Sequence, residues 1–163
     1  MILKYIFTTI LVIVALVIQS HVSLDAIRIF GVKPDLLFIL IVYFSYTFGP
    51  FYGQVVAFAS GLLRDSISNS PLGFLTLPSV IIAFIVGMFG KEMLKDNLIT
   101  IAVMIFVASF LKGIVAYLLS IIFLSETSAF SIINIVLPES LYNAIIAPAV
   151  FILLNKLFTE EIV

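Results

Sequence analysis

A few charged side chains in or beside the apolar stretches of this sequence are its best candidates for chemistry. Asp35 and Asp65 are candidate catalytic carboxylates, because an intramembrane aspartic protease uses two facing carboxylates that share a proton. Both are predicted near the same, outer border of a membrane, so such a pair is geometrically conceivable. Neither lies in a recognisable protease motif, and the sequence therefore favours non-catalytic roles for both.

The residues around Asp65 suggest two structural roles for its carboxylate. Arg64 and Asp65 end the third predicted helix, where they would form an ion pair at the membrane border. Alternatively, Asp65 anchors the following loop by accepting backbone N–H bonds from residues 66–70. This Ser/Asn-rich loop ends at Pro71 and Gly73.

Lys112 lies near the middle of the longest apolar segment. A lysine at the centre of a membrane helix costs about 2.5–3.5 kcal/mol on insertion scales, so we expect it to face the interior, snorkel or meet a carboxylate. Glu139 is the candidate partner, because the fifth and sixth predicted helices are sequence neighbours and antiparallel. The pair is either a structural ion pair, or Lys112 binds a ligand or partner.

The sixth predicted helix has a polar start within an otherwise apolar run. Pro138 suits a first turn, and Glu139 complements the helix dipole there. Glu139 and Asn143 are four residues apart and share a face, with Tyr142 beside them. Pro148 is expected to kink the helix. The cluster is either a candidate functional face or simply a helix start with an interfacial tyrosine.

Small residues recur at four-residue spacing along the third predicted helix, at Gly53, Ala57 and Gly61. Small side chains let two helix backbones approach closely in lipid. The stripe therefore predicts either internal packing against a neighbouring helix or a docking face for another protein's transmembrane helix.

Recognisable enzyme and cofactor motifs are missing from the sequence. There is no Walker loop, GxSxG, HExxH or haem motif. Cysteine is absent, and the single histidine, His21, cannot hold zinc by itself. A net charge of −1 offers no basic face for nucleic acid. We therefore predict a non-enzymatic protein without a cofactor or metal site.

The elements that position these residues are six long apolar segments. Of the 163 residues, 63% are hydrophobic and 10% charged, and the mean hydropathy is +1.33, whereas soluble domains carry about 25% charged residues. We predict an all-α, polytopic membrane bundle forming one domain over residues 1–163. The predicted helices cover about 4–20, 35–48, 53–63, 74–90, 98–124 and, from a start between 132 and 138, up to 158.

Several boundaries and the topology follow from local signals. Pro34 and Asp35 open the second helix, where proline suits the first turn and the dipole favours a carboxylate. Residues 49–53 are predicted to form a tight turn and residues 91–96 a charged linker. The second and third helices are short, so they either extend into flanking residues or form a hairpin that crosses only partly. Residues 5–18 favour an uncleaved first helix over a signal peptide.

The distribution of lysine and arginine favours both termini in the cytoplasm. In that orientation four lysines lie inside and three basic residues outside: Lys4, Lys91, Lys95 and Lys156 against Arg28, Lys33 and Arg64.

Three groups of residues, in order, resemble the rod shape-determining protein MreD family of bacterial inner-membrane proteins. They are residues 33–37 followed by Gly49-Pro50 and Gly53; residues 61–65 leading to 70–73; and residues 139–143 with Ala147-Pro148. The resemblance covers essentially the whole chain. Arg64 departs from the family pattern, in which an apolar residue is expected at the position before Asp65.

The resemblance implies a non-enzymatic scaffold in the machinery that builds lateral peptidoglycan. It implies an MreC-type single-span partner, and direct or indirect association with MreB, RodA and a class B penicillin-binding protein. The family also resembles the six-helix substrate-binding components of energy-coupling-factor vitamin transporters. A transport subunit that binds a small molecule is therefore the alternative, and it requires a polar, ligand-sized pocket.

Overall fold

The computed structural model describes residues 2–20, 32–68, 71–93, 97–123 and 132–162. These ranges contain six α-helices, and a π-helical turn, Ile132–Val136, directly precedes the last one. The helices are α1 (Ile2–Ser20), α2 (Leu36–Phe48), α3 (Pro50–Ile67), α4 (Thr76–Met93), α5 (Leu98–Phe123) and α6 (Leu137–Ile162). The predicted all-α class is confirmed for this part of the chain.

The second helix is the centre of the bundle, because α2 contacts each of the other five α-helices. The side chains from Leu37 to Ser45 are all buried, as expected for a helix that is apolar on every side. Its 13 residues give a length of about 20 Å, less than the roughly 30 Å of a bilayer core. The shortness of the predicted second helix thus reflects an internal helix rather than one that lines the surface.

The outer surface of the bundle is apolar, in contrast to that of a soluble domain. Phe51, Ile122 and Ile145 are each more than two-thirds exposed, at 78%, 69% and 75%. Large exposed apolar surfaces mark contacts with lipid or with other proteins. Within the described residues, two helical stretches, Leu98–Phe123 and Ile133–Phe158, are long and apolar enough to cross a membrane by length and composition. Both features are consistent with a helical membrane protein.

The connection between α2 and α3 differs from the predicted tight turn over residues 49–53. Gly49 alone links the helices, with a φ of +96°, a conformation that glycine adopts without steric cost. Pro50 then occupies the start of α3, where its missing N–H is not needed. α3 continues to Ile67, so Arg64 and Asp65 lie within the helix rather than at its end.

Two other predicted boundaries are wrong by a few residues. α2 begins at Leu36, so Pro34 precedes the helix and Asp35 is its N-cap. The predicted charged linker is partly helical, because α4 continues to Met93. Lysine and glutamate are good helix formers, so the charges that begin at Lys91 do not end the helix. The rest of that linker and the predicted last residue of the fifth helix, Leu124, lie outside the described residues.

The small-residue stripe of α3 packs against the chain's own helices. Ala57 is fully buried. A Cβ atom on Gly53 would collide with Ser45 of α2, and one on Gly61 would lie 2.8 Å from the backbone of Thr76 in α4. This is the close backbone approach that small residues permit. It agrees with internal packing and leaves no open face for a partner helix at this stripe.

Candidate functional site

The candidate site is a buried cluster of charges around Asp35, at the N-terminal end of α2. The Asp35 side chain is 2% exposed. Its Oδ1 accepts a hydrogen bond from the backbone N–H of Phe38 at 3.1 Å, which makes it a side-chain N-cap. Capping satisfies one of the N–H groups that a helix start leaves without a partner. The short loop before α2 is therefore held at a fixed depth in the bundle.

Two cations from different helices converge on the other oxygen of this carboxylate. Arg64 Nη1, from the last turns of α3, lies 2.6 Å from Asp35 Oδ2. Lys112 Nζ, from the middle of α5, lies at the same distance from the same oxygen. Lys112 Nζ also donates to Glu139 Oε1 at 2.7 Å. The four residues form one chain of ion pairs with two positive and two negative charges.

The predicted Lys112–Glu139 pair is confirmed by this geometry. The structure adds Asp35 as a second partner of Lys112, which the sequence reasoning missed. The Nζ atom also lies 4.5 Å from the centroid of the Phe38 ring, a cation–π distance. Two carboxylates and an aromatic face thus replace the water that this ammonium would lose in the membrane.

Uncharged polar residues from α1, α5 and α6 complete the cluster. Gln19 Nε2 donates to Asp35 Oδ1 at 3.0 Å. Asn143 Oδ1 accepts the backbone N–H of Asp35 at 2.7 Å, and Asn143 Nδ2 donates to Ser109 Oγ at 3.0 Å. Glu139 and Asn143 do share one face of α6, as their spacing predicts, and Tyr142 beside them is partly exposed.

Asp65 belongs to a separate network that starts α4. Its carboxylate accepts backbone N–H bonds from Gly73, Leu75 and Thr76 at 2.8, 3.1 and 3.2 Å, and also the Thr76 hydroxyl at 2.6 Å. Gly73 has a φ of +92°, a conformation that glycine adopts without steric cost. A bond from the Phe74 N–H to the Pro71 carbonyl closes the turn.

The anchoring role predicted for Asp65 is therefore confirmed, but its described donors come from residues 73–76 and not from residues 66–68. The other two predicted donors, residues 69 and 70, lie outside the described residues. The predicted Arg64–Asp65 ion pair is also wrong, since Arg64 pairs with Asp35. Consecutive residues on a helix do not face each other, so Arg64 points to α2 while Asp65 points to α4. Asp35 and Asp65 accordingly have different partners and form no catalytic pair.

A cavity of about 400 Å³ opens beside the charge cluster. Arg64 and Glu139 line it with side chains that are 30% and 24% exposed, whereas Asp35 is almost entirely covered. Gln19 and Lys33 also contribute to its wall. The cluster is thus accessible at its two ends and closed at its centre.

The polar side chains of the described residues mostly bond to one another. Every buried side-chain nitrogen and oxygen among them has a hydrogen-bond partner. Both oxygens of Asp35 are occupied by donors. The same residues contain no group of three or more histidine, aspartate or glutamate side chains placed to bind a metal.

Sequence reasoning could have found more of this cluster from the positions of the polar residues. Gln19 ends an apolar run in α1, and Arg64 follows the apolar pair Leu62-Leu63 in α3. Each is a polar side chain that the membrane would otherwise leave without a partner, as Lys112 is.

Comparison with known proteins places these residues in a family. No curated protein and no solved structure matches the chain significantly. The sequence does match the rod shape-determining protein MreD over residues 1–160 of 163. The three groups of residues that carry the resemblance, and Lys112 of the charge cluster, all lie in the matched range. The chain therefore belongs to the rod shape-determining protein MreD family, a family of membrane proteins with a role in rod shape determination.

Proposed function

We propose that this protein is a non-enzymatic membrane scaffold of the bacterial cell-elongation machinery, which binds an MreC-type single-span protein and supports lateral peptidoglycan synthesis. The family supplies the role in rod shape. The observation that favours a scaffold is the closed, charge-balanced cluster around Asp35. It joins α1, α2, α3, α5 and α6 at one level of the bundle.

A network of this kind favours a rigid scaffold over a catalyst. Buried ion pairs that are fully hydrogen-bonded specify one arrangement of the elements that carry them. Asp35 has no exposed oxygen to offer a substrate, and Lys112 is held from three sides. The arrangement suits a bundle that presents a fixed surface to partners.

The partner's contact is proposed at the accessible ends of the cluster rather than at the small-residue stripe. Glu139 is the carboxylate that remains partly exposed, so it can meet polar juxtamembrane residues of a single-span protein. MreB, RodA and a class B penicillin-binding protein would be reached directly or through that partner.

Co-purification tests this role. Glu139→Gln keeps the shape of the side chain and is expected to lower recovery of a co-expressed MreC-type partner and to impair cell elongation. The matched control is Gln54→Ala, at a partly exposed position of α3 outside the cluster. Thermal stability of both variants separates lost binding from lost folding. Unchanged partner recovery and unchanged cell length with Glu139→Gln would contradict the proposed contact.

The proposed location is the inner membrane, with six spans and both termini in the cytoplasm. Cysteines introduced at residues 70 and 97 test this orientation. An impermeant thiol reagent applied to intact cells is expected to label position 70 and not position 97. The opposite labelling pattern would invert the topology.

A small-molecule binding subunit of a transporter is the second candidate, and the cavity beside Arg64 favours it. Its volume of about 400 Å³ falls within the roughly 300–1,000 Å³ of ligand pockets. Purification distinguishes the two roles. A tightly co-purifying vitamin supports transport, whereas a co-purifying single-span protein supports the scaffold.

A further inference from the structure

Helices α1 and α3 run parallel to each other, and both pack on α2. Their N-terminal ends meet where the Tyr5 and Tyr52 rings lie 5.7 Å apart. Their C-terminal ends meet where Gln19 and Arg64 both donate to the Asp35 carboxylate. Between these two points the helices border an apolar groove of about 310 Å³, and the 400 Å³ cavity beside the charge cluster follows it along the same two helices.

The residues that line the groove and the cavity follow one face of each helix. They recur at intervals of three or four residues and include Tyr5, Thr9, Val12, Leu16 and Gln19 on α1, and Tyr52, Val56, Ala59, Leu63 and Ile67 on α3. This spacing is the one at which a helix receives the side chains of another helix as knobs into holes. Ile13 on one wall and Leu63 on the other are half exposed, so the groove opens outward. Its shape fits a third helix.

The cavity at the end of the groove offers both hydrogen-bond donors and an acceptor. A guanidinium carries five N–H donors, and the described residues engage one of those of Arg64, in the bond to Asp35. Glu139 accepts from Lys112 through Oε1, and its Oε2 accepts no hydrogen bond from the described residues. The two cations and two carboxylates of the cluster balance each other, so the cluster supplies no counter-ion for a further charge. A neutral group that both accepts and donates fits best, as the carboxamide of asparagine or glutamine does.

The depth of the cavity favours a helix over a lipid headgroup as the occupant. Arg64 follows Pro50, the first residue of α3, by fourteen positions, or about 21 Å of helix. Lys112 lies equally far from Leu98, the first residue of α5. A hydrocarbon core of roughly 30 Å that begins at these residues extends about 9 Å beyond the cluster. Lipid headgroups lie outside this core, whereas transmembrane helices form hydrogen bonds between polar side chains within it.

We propose that the groove between α1 and α3 binds the transmembrane helix of the single-span partner, and that this helix presents an asparagine or glutamine to Arg64 and Glu139. The inference rests on the proposed scaffold role. It adds the two helices that receive the partner and the side chain that fixes its depth. The apolar walls supply van der Waals contact, and the carboxamide supplies an interhelical hydrogen bond, which together drive association of helices in lipid.

Co-purification with the co-expressed MreC-type partner tests the groove. Ala59→Phe fills it at an exposed residue away from the charges, and Ala149→Phe makes the same change at an exposed residue of α6 that does not line the groove. Wild type and Ala149→Phe are expected to recover the partner equally. Ala59→Phe is expected to recover about tenfold less, because an overpacked contact weakens binding by this order. Thermal stability of both variants separates a lost contact from a lost fold.

Disulfide cross-linking locates the partner without filling the groove. The chain has no cysteine of its own, so Ala59→Cys and Ala149→Cys each introduce one, and single cysteines are placed along the partner's transmembrane helix. Ala59→Cys is expected to cross-link at partner positions three or four residues apart, which share one helix face, and Ala149→Cys at none. Leucine in place of the partner's asparagine or glutamine at the level of Arg64 is expected to lower recovery of the complex.

The outcomes separate this inference from the role on which it rests. Failure of the wild type to recover the partner would overturn the scaffold role and the groove with it. Recovery by the wild type, with equal recovery by Ala59→Phe and Ala149→Phe, would overturn the groove alone; a groove filled by lipid predicts this result. Cross-linking of Ala59→Cys to a second copy of this chain would assign the groove to that copy instead. A partner helix without asparagine or glutamine at the level of Arg64 would overturn the polar contact.

Discussion

Replacing Asp35 by alanine is the sharpest perturbation of the charge cluster, because three other side chains donate to its carboxylate. Oδ2 accepts from Arg64 and Lys112, and Oδ1 accepts from Gln19 and from a backbone N–H of α2. The alanine variant loses these four hydrogen bonds. It leaves two cations in the bundle with Glu139 as their remaining carboxylate.

Two arguments bracket the resulting loss of unfolding free energy. Removal of one partner from a buried ion pair costs about 3–5 kcal/mol. Polar contacts between membrane helices average about 0.6 kcal/mol, so four of them amount to about 2.4 kcal/mol. We therefore expect Asp35→Ala to destabilise the protein by about 2–5 kcal/mol. Glu139→Ala removes one described hydrogen bond, and Lys112 keeps its bond to Asp35. We therefore expect this variant to lose about 1 kcal/mol of unfolding free energy.

Equilibrium unfolding in detergent micelles, followed by far-UV circular dichroism as denaturing detergent is added, measures these differences. Asp35→Asn is an informative companion, because it keeps the side-chain shape and an oxygen for the N-cap while removing the charge. Its loss of stability is expected to lie between those of the other two variants. Gln54→Ala serves as the control, with a change within about 0.5 kcal/mol. If Asp35→Ala costs no more than this control, or no more than Glu139→Ala, the central role of Asp35 is refuted.

Three further changes test the packing around the cluster. Gly61→Leu is expected to destabilise the bundle by about 1–3 kcal/mol or more, since a Cβ atom there would lie 2.8 Å from the backbone of α4's first residue; normal thermal stability would show that the helices do not approach this closely. Asp65→Ala removes four hydrogen bonds at the start of α4, so faster amide hydrogen exchange is expected in that first turn, and unchanged exchange would count against the cap. The charge swap Lys112→Glu with Glu139→Lys is expected not to restore stability, because it places a carboxylate against Asp35; full recovery in the unfolding assay would mean that Lys112 pairs with Glu139 alone.

The helices could largely be predicted from the sequence, because apolar runs of this length have few other structures available in a membrane. The ends of the helices could not be predicted in the same way. A charged residue such as Lys91 indicates that the chain leaves apolar surroundings, and it does not indicate that the helix ends. Gly49 illustrates the same difficulty at a turn. One residue at positive φ was enough to reverse the chain, and the proline after it began a helix instead of extending the turn.

The pairing of charges within the cluster was predictable only where two helices were neighbours in sequence. Lys112 and Glu139 lie on consecutive helices, so their pairing followed from antiparallel packing. The Arg64–Asp35 bond joins helices on either side of the Gly49 connection, with the partners at opposite ends of the hairpin sequence. Because Arg64 and Asp65 are adjacent in sequence, they were predicted to pair with each other. Consecutive residues on a helix do not face each other, so the helical geometry directs Asp65 away from Arg64. A tertiary contact of this kind depends on the order of the helices around α2, which the hydropathy pattern does not specify.

The depth of the cluster explains why a lysine is tolerated at the middle of the longest helix. α2 begins at Leu36 with its first N–H groups inside the bundle, and its N-cap Asp35 is buried with them. A helix start carries partial positive charge that favours a carboxylate, and the carboxylate in turn favours a cation within reach. Lys112 and Arg64 meet this requirement from two sides, and Glu139 restores the charge balance. The short central helix thus places a polar N-terminal end within the protein, where the carboxylate that caps it pairs with the mid-helix lysine.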